Sequence, residues 1–144
     1  MKIFSGIKAS KFIEEKLIKK ISNLEIKPKI VIFQVNNLLA SNKYISFKIK
    51  KAKILGIEAD HIKIEDFDGY KVTEDMLINL IEKEINNYDG AIVQLPLPNG
   101  FDNKKILDSI PVEKDIDGLN SNQKIIFPAT PRGIIDLLNF YEIS

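Results

Sequence analysis

The chain has no cysteine and no tryptophan, and among its 144 residues there are only one histidine, one arginine and seven glycines. Without cysteine there is no disulfide, no thiolate metal site and no Cys nucleophile, a composition that fits a cytoplasmic setting. A single histidine, His61, without a partner histidine argues against a metal cluster and reads as a structural or exposed side chain. Basic residues exceed acidic ones by 21 − 20 = 1, so no overall field marks a nucleic-acid or membrane-surface partner. No apolar run approaches the ~18 residues of a membrane span, and no signal-peptide stretch opens the chain. Glycine and proline are too scarce for a collagen-like or low-complexity chain. What is present, 44% hydrophobic and 28% charged residues, is globular. The expectation is one domain over 1–144, able to bury ~70% of the surface its unfolded chain exposes.

Short β-branched runs alternate with longer stretches of helical period, which predicts an α/β fold: three layers, with a mostly parallel sheet flanked by helices. Lys11 to Ile21 places Phe12, Ile13, Leu17, Ile18 and Ile21 on one helical face. Ile30 to Val35 reads as a strand covered on both sides. A helix is expected from Ala40 to Leu55, with Ser41 or Asn42 at its start, Gly56 as its stop, and Ile45, Ile49 and Ala52 as its core stripe. Ile57–Ile64 reads as a strand, and Val72–Ile85 as a helix capped by Thr73 with Leu77, Leu80, Ile81 and Ile85 inward. Ala91–Gln94 is a short buried strand, and a brief helix runs from about Asp102 to Ser109. An irregular stretch, 114–124, precedes a last helix for which Thr130 can cap and Pro131 suits the first turn. Its expected face is Ile134, Leu137, Leu138 and Tyr141.

In open parallel sheets, ligands bind beyond the carboxyl ends of the strands. Tyr44 and Lys48, four apart on one helix, follow the first strand, and Gln94-Leu95-Pro96-Leu97-Pro98 follows a buried one. Lys114-Asp115-Ile116-Asp117-Gly118 adds two carboxylates on a turn. A lysine held beside a tyrosine and a glutamine in a partly apolar crevice could lose enough solvation to titrate near ~7–8 and shuttle protons. A carboxylate close by would oppose that, so Asp117 is expected away from the ammonium. Each signal alone has a plainer reading: a lysine lying along a packed ring, a proline turn, an Asx-turn.

In order and together, these segments resemble the N-terminal, folate-binding domain of the bifunctional methylenetetrahydrofolate dehydrogenase/methenyltetrahydrofolate cyclohydrolase family. The likeness also takes in Ser5-Gly6, Ala40-Ser41, Lys50 and Ala52 before Gly56, Asp89-Gly90 and Pro128-Ala129-Thr130-Pro131-Arg132-Gly133. It implies that Lys48 is the acid/base lysine of the cyclohydrolase step and that Tyr44 packs on the folate. It implies that Gln94 hydrogen-bonds and tunes Lys48, Asp117 holds the pterin, and Leu95-Pro96 borders the substrate with a cis bond. The activity so implied is NAD(P)-linked oxidation of 5,10-methylenetetrahydrofolate to 5,10-methenyltetrahydrofolate, then hydrolysis to 10-formyltetrahydrofolate, within one-carbon metabolism and purine biosynthesis. A homodimer of the full-length protein is compatible with it.

The chain itself holds no cofactor site. Its glycines never approach Gly-x-Gly-x-x-Gly, and the family's NADP or NAD sits on a C-terminal Rossmann domain absent from these residues. Hydride transfer by the chain alone is therefore not expected, and a fragment or split protein is the favoured origin. The alternative is a shortened, non-catalytic folate- or partner-binding module. Family members commonly carry Gly at Asn36 and Pro at Leu39, so the loop between them is a point of departure. Lys43, Lys48, Lys50, Lys51 and Lys53 could attract the anionic glutamate tail of a folate, although a lysine-rich helix is more often a solvated face. Arg132 has no expected catalytic role. Asp115-Ile116-Asp117-Gly118 is not a calcium loop, because Leu119 stands where the third oxygen ligand is needed.

Overall fold

A computed structural model describes residues 4–35, 37–66 and 68–143; Asn36, singled out above, lies outside them. Three strands, β1 (Lys29–Val35), β2 (Glu58–Ile64) and β3 (Gly90–Val93), form a parallel sheet in the order β2-β1-β3. Five helices accompany them among the described residues: α1 (Gly6–Ser22), α2 (Leu39–Leu55), α3 (Glu74–Glu84), α4 (Asn103–Leu107) and α5 (Ala129–Phe140). The central strand is apolar on both faces because both faces are covered.

Alternation along β1 divides the interior in two. Val31, Phe33 and Val35 join Ala91 and Val93 against Leu77 and Ile81 of α3 and Ile106 of α4. On the opposite face Ile32 and Ile92 meet Ile45 of α2, with Ile49 and Ile116 packed alongside. The helices thus form two layers around the sheet, with α1 and α5 outside α2, as the α/β pattern predicts. The predicted stripe of α2 is correct at Ile45 and Ala52, and that of α3 at Leu77, Ile81 and Ile85, all buried. The expected inner face of α1 is buried only at Ile21, and that of α5 at none of its residues. Phe12, Leu17 and Ile18 remain partly exposed. Amphipathic period shows that a helix has an apolar face, not that the face is covered.

Helix ends follow local chemistry unevenly. Gly56 closes α2 in the left-handed region at φ +81°, and Thr73 Oγ1 caps α3 by accepting from the Met76 amide at 3.3 Å. Asp102, expected inside the brief helix, instead caps it through the Lys104 and Lys105 amides. Neither Ser41 nor Asn42 caps α2: the cap residue is Leu38, which offers no side-chain acceptor. Thr130 does not cap α5, which starts one residue earlier behind Pro128. Tyr141 fastens the end of α5 to the chain start, where its hydroxyl accepts from the Ser5 amide at 2.9 Å.

The uncapped entry of α2 is tied down by a buried amide. Gln34, fully buried on the α2 side of β1, donates through Nε2 to Asn42 Oδ1 at 2.8 Å, and Asn42 Nδ2 donates to Asn37 Oδ1 at 2.6 Å. Gln34 Oε1 lies 2.8 Å from His61 Nε2, so the ring donates there. Burial of that edge of the otherwise exposed ring, then the charge of Lys63, lowers the His61 pKa below its ordinary 6.5. In the window below 6.5 the unfolded chain then binds more protons than the folded one. Stability is full above that value and is lost as pH falls through the folded pKa.

Two outcomes follow from these placements. The imidazole resonances, unambiguous with one histidine, should titrate below 6.5 by NMR, and urea midpoints should fall on acidification with a slope that His61→Gln reduces. Gly118, at φ +71°, holds its α-carbon where a Cβ would lie 2.7 Å from the Ile126 carbonyl oxygen, whereas Gly100 at φ +91° has open space. Gly118→Ala should cost about 2 kcal/mol or more and Gly100→Ala only about 1 kcal/mol, measured by urea denaturation. Equal losses would mean that the close approach at Gly118 carries no energy.

Candidate functional site

The turn after the Val112–Lys114 single-turn helix is organised by one buried carboxylate. Asp115 Oδ1 accepts from the Asp117 and Gly118 amides at 3.3 and 3.0 Å, and Oδ2 accepts from the Asn120 amide at 2.9 Å. A bridge to Ala91 anchors Asp115 beside β3. Between these ties Ile116 drops into the Ile32–Ile45–Ile92 cluster, and its Cγ2 fills the space a Cβ on Gly90 would need. With Ile116 pinned under α2, the next side chain is presented to that helix.

Asp117 Oδ2 lies 3.9 Å from Lys48 Nζ, with about a third of the lysine side chain and a quarter of the aspartate open to solvent. This corrects two expectations. Asp117 does not stand away from the ammonium, and Lys48 is not a desolvated lysine in an apolar crevice: it keeps water and a counter-charge. The cause is the Asp115 turn, which aims Asp117 at α2.

The remaining predicted residues divide. Tyr44, one turn before Lys48 on α2, is 65% exposed and lines a cavity of about 440 Å³ with Leu39, Ala40, Lys43 and Phe47. Lys48, Gln94 and Asp117 do not line that cavity. Gln94 is buried at the tip of β3, where its backbone amide donates to the Phe33 carbonyl at 2.8 Å. Its side-chain Nε2 turns back to the Leu95 carbonyl at 2.6 Å, and its Oε1 has no partner. The expected hydrogen bond from Gln94 to Lys48 is therefore not made in this structure. The Leu95-Pro96 peptide is cis; Leu95 packs on the α3-side core and Pro96 is exposed.

Chemically, the structure brings together a part-solvated ammonium and a facing carboxylate; the exposed phenol of Tyr44 and the unsatisfied buried acceptor of Gln94 stand apart from that pair. Among the described residues no group of three or more His, Asp or Glu side chains could hold a metal ion. His61 belongs to the Gln34 tether rather than to this site. Gln34, Asn42 and Asp115 are the supporting residues: motif reading passed over Gln34, took Asn42 only as a helix start, and read Asp115 as part of an Asx-turn. Gln34 had a legible signal, an amide inside an otherwise apolar strand. Asp115 had a partial one in its turn-forming segment.

Comparison with known proteins now bears on the geometry. The profile described as tetrahydrofolate dehydrogenase/cyclohydrolase, catalytic domain, matches residues 4–117. The bifunctional protein FolD of Mycoplasma mobile is 43% identical over 152 residues, covering all of this chain and 53% of that protein. The crystal structure of the bifunctional methylenetetrahydrofolate dehydrogenase/cyclohydrolase FolD from Campylobacter jejuni superposes with a TM-score of 0.91 at 29% identity, over 99% of this chain and 54% of that one. The corresponding enzyme of Thermoplasma acidophilum gives a TM-score of 0.86 at 28% identity, over 98% and 53%. The chain spans about half the length of the relatives it matches, and no helix among its described residues is long and apolar enough to cross a membrane. By the extent of the profile match and the identity to its relatives, the chain belongs to the tetrahydrofolate dehydrogenase/cyclohydrolase family, whose catalytic domain it represents.

Proposed function

We propose that the chain is the folate-binding catalytic half of an enzyme that interconverts 5,10-methylene-, 5,10-methenyl- and 10-formyltetrahydrofolate, acting in cytoplasmic one-carbon metabolism. The observation that carries this reading is the approach of Lys48 to Asp117, which joins two motif segments far apart in the chain.

The chemistry asked of these residues is proton management. Water adds to the methenyl carbon and gives up both its protons as its oxygen becomes the formyl carbonyl; the bond from that carbon to N5 breaks, N5 takes one proton, and the formyl group stays on N10. One proton is released overall. Lys48, an amine within reach of solvent, would carry protons between water and N5. Asp117 would accept hydrogen bonds from the amino-substituted pterin, and Tyr44 would offer its ring to the flat part of the folate. Gln94 Oε1, buried without a donor, would supply the acceptor that Lys48 needs once Asp117 engages the pterin. Leu95 and Pro96 would border the same edge.

The oxidative half requires a nicotinamide dinucleotide, NADP or NAD. The residues here do not fit one: the turn from β1 to α2 has no glycine in its sequence, and no Gly-x-Gly-x-x-Gly occurs anywhere in the chain. No hydride step is assigned to these residues.

In the protein as its gene encodes it, Lys48→Met should reduce methenyltetrahydrofolate hydrolysis by about 100-fold or more while leaving folate affinity nearly unchanged. Asp117→Asn should instead weaken folate binding. Loss of the methenyl absorbance reports turnover and calorimetry reports affinity. Full turnover in Lys48→Met would remove that lysine from the chemistry, and binding without turnover in the unaltered protein would favour a non-catalytic folate module.

A further inference from the structure

A main-chain nitrogen can attack the side-chain carbonyl carbon of the asparagine or aspartate before it, and glycine, without a Cβ, hinders that approach least. The chain has four such pairs: Asp68-Gly69, Asp89-Gly90, Asn99-Gly100 and Asp117-Gly118. The fold treats them differently. Gly90 is buried in β3, and the Gly118 amide is held by Asp115 Oδ1 at 3.0 Å. Asp68-Gly69 is exposed, but an ionised carboxylate is a poor electrophile at neutral pH. Among the four, Asn99-Gly100 alone joins full exposure to an uncharged carboxamide.

The turn that carries this pair is lightly held. The Phe101 amide donates to the Pro98 carbonyl at 3.2 Å, and Gly100 takes φ +91° while Asn99 stays out of the left-handed region, the signature of a type II turn. Neither the Asn99 carboxamide nor the Gly100 amide has a hydrogen-bond partner, and no atom lies within 4 Å of where a Cβ on Gly100 would stand. Rotation about the Asn99 Cα–C bond, which brings the Gly100 nitrogen onto Asn99 Cγ, breaks only the one hydrogen bond that closes the turn. Asn120-Ser121 is the opposite case. Asn120 is 6% exposed, its Nδ2 donates to the Ile110 carbonyl at 2.9 Å, and the Ser121 amide, which would have to attack, donates to Asp108 Oδ1 at 2.7 Å. Reaction there requires prior local unfolding.

We propose that Asn99 is a site of spontaneous deamidation and isoaspartate formation. The Gly100 nitrogen gives up its proton to hydroxide and bonds to Asn99 Cγ. The Cγ–Nδ2 bond breaks, ammonia leaves with a proton taken from water, and a cyclic succinimide remains. Water then opens the ring at either carbonyl. One opening gives aspartate; the other gives isoaspartate, in which the main chain runs through the former side chain and is one carbon longer. Overall one water is consumed and one ammonia is released, with no oxidant, metal or enzyme. The change falls between the Gln94–Pro98 segment and α4, and its isoaspartyl product is a substrate for a carboxyl methyltransferase that uses S-adenosylmethionine. None of this depends on the folate reading.

The test incubates the protein as its gene encodes it at mildly alkaline and mildly acidic pH, and follows each asparagine by tandem mass spectrometry. At alkaline pH Asn99 should convert to an aspartate and isoaspartate pair, the latter accepting a methyl group from an isoaspartyl methyltransferase, and conversion should slow at acidic pH. Its rate should lie within about tenfold of that in a synthetic peptide of residues 95–103, and exceed that of Asn120 by about tenfold or more. Gly100→Ala should slow it by about tenfold or more, because the attacking residue then carries a Cβ. Asn99→Gln should leave no isoaspartate in the 98–101 turn. Protection of Asn99 beyond about tenfold relative to the peptide overturns the claim that the fold leaves it open. An undiminished rate in Gly100→Ala, or aspartate without isoaspartate, overturns the cyclic route.

Discussion

A buried carboxylate holding three backbone amides is the constraint on which the site depends. Asp115, 3% exposed, would be costly to bury without donors, and the amides of Asp117, Gly118 and Asn120 would be costly to bury without an acceptor. Each settles the other, and a turn results whose shape owes little to the residues at its surface. Gly118 accepts the positive φ that the turn requires and lets the 126–128 backbone pass close by. Ile116 is driven into the small apolar cluster under α2. Asp117 is then left with one direction to point, toward Lys48.

The sheet supplies the second half of that geometry. Because β1, β2 and β3 are parallel, their carboxyl ends lie on one edge, and the residues that follow them share one region. Two amides stand there, Gln34 within β1 and Gln94 just past β3. Gln34 is fully satisfied by Asn42 and His61 and does structural work, fixing the entry of a helix whose cap residue has no acceptor. Gln94 keeps a buried oxygen without a donor. In a folded chain such a vacancy is rare, and its position at a strand tip suits a group that meets a ligand. The same residue type thus divides into support and candidate function according to whether its hydrogen bonds are complete.

Elements governed by local chemistry were legible in the sequence. The strand Ile30–Val35, the left-handed Gly56, the Thr73 cap and the inward stripes of α2 and α3 each follow from side chains within a few positions of one another. The family resemblance likewise needed only motif order. Three features were not readable in this way. The pair of carboxylates on a turn suggests an Asx-turn, which Asp115 makes with the Asp117 and Gly118 amides, but not that this turn carries Asp117 to Lys48. The apolar faces of α1 and α5 are real but largely open, because periodicity records composition around a helix and not what lies against it. Thr130 has the chemistry of a cap, yet α5 begins a residue before it, behind Pro128.

The site combines rigid and exposed parts, and the physics of recognition differs between them. At the Asp117 end, loop and sheet are fixed by buried hydrogen bonds, so the polar atoms there are preorganised. At the Phe47 end, the groups are long lysines and an uncovered ring on a helix surface, where attraction is long-ranged, tolerant of geometry and weakened by salt. One helix borders both regions because Lys48 and Lys43 lie on opposite sides of the Tyr44 and Phe47 positions around α2. The burial of Ile45 and Ala52 on the remaining face fixes the rotation of α2, and that rotation decides which lysine meets the acid and which meets solvent.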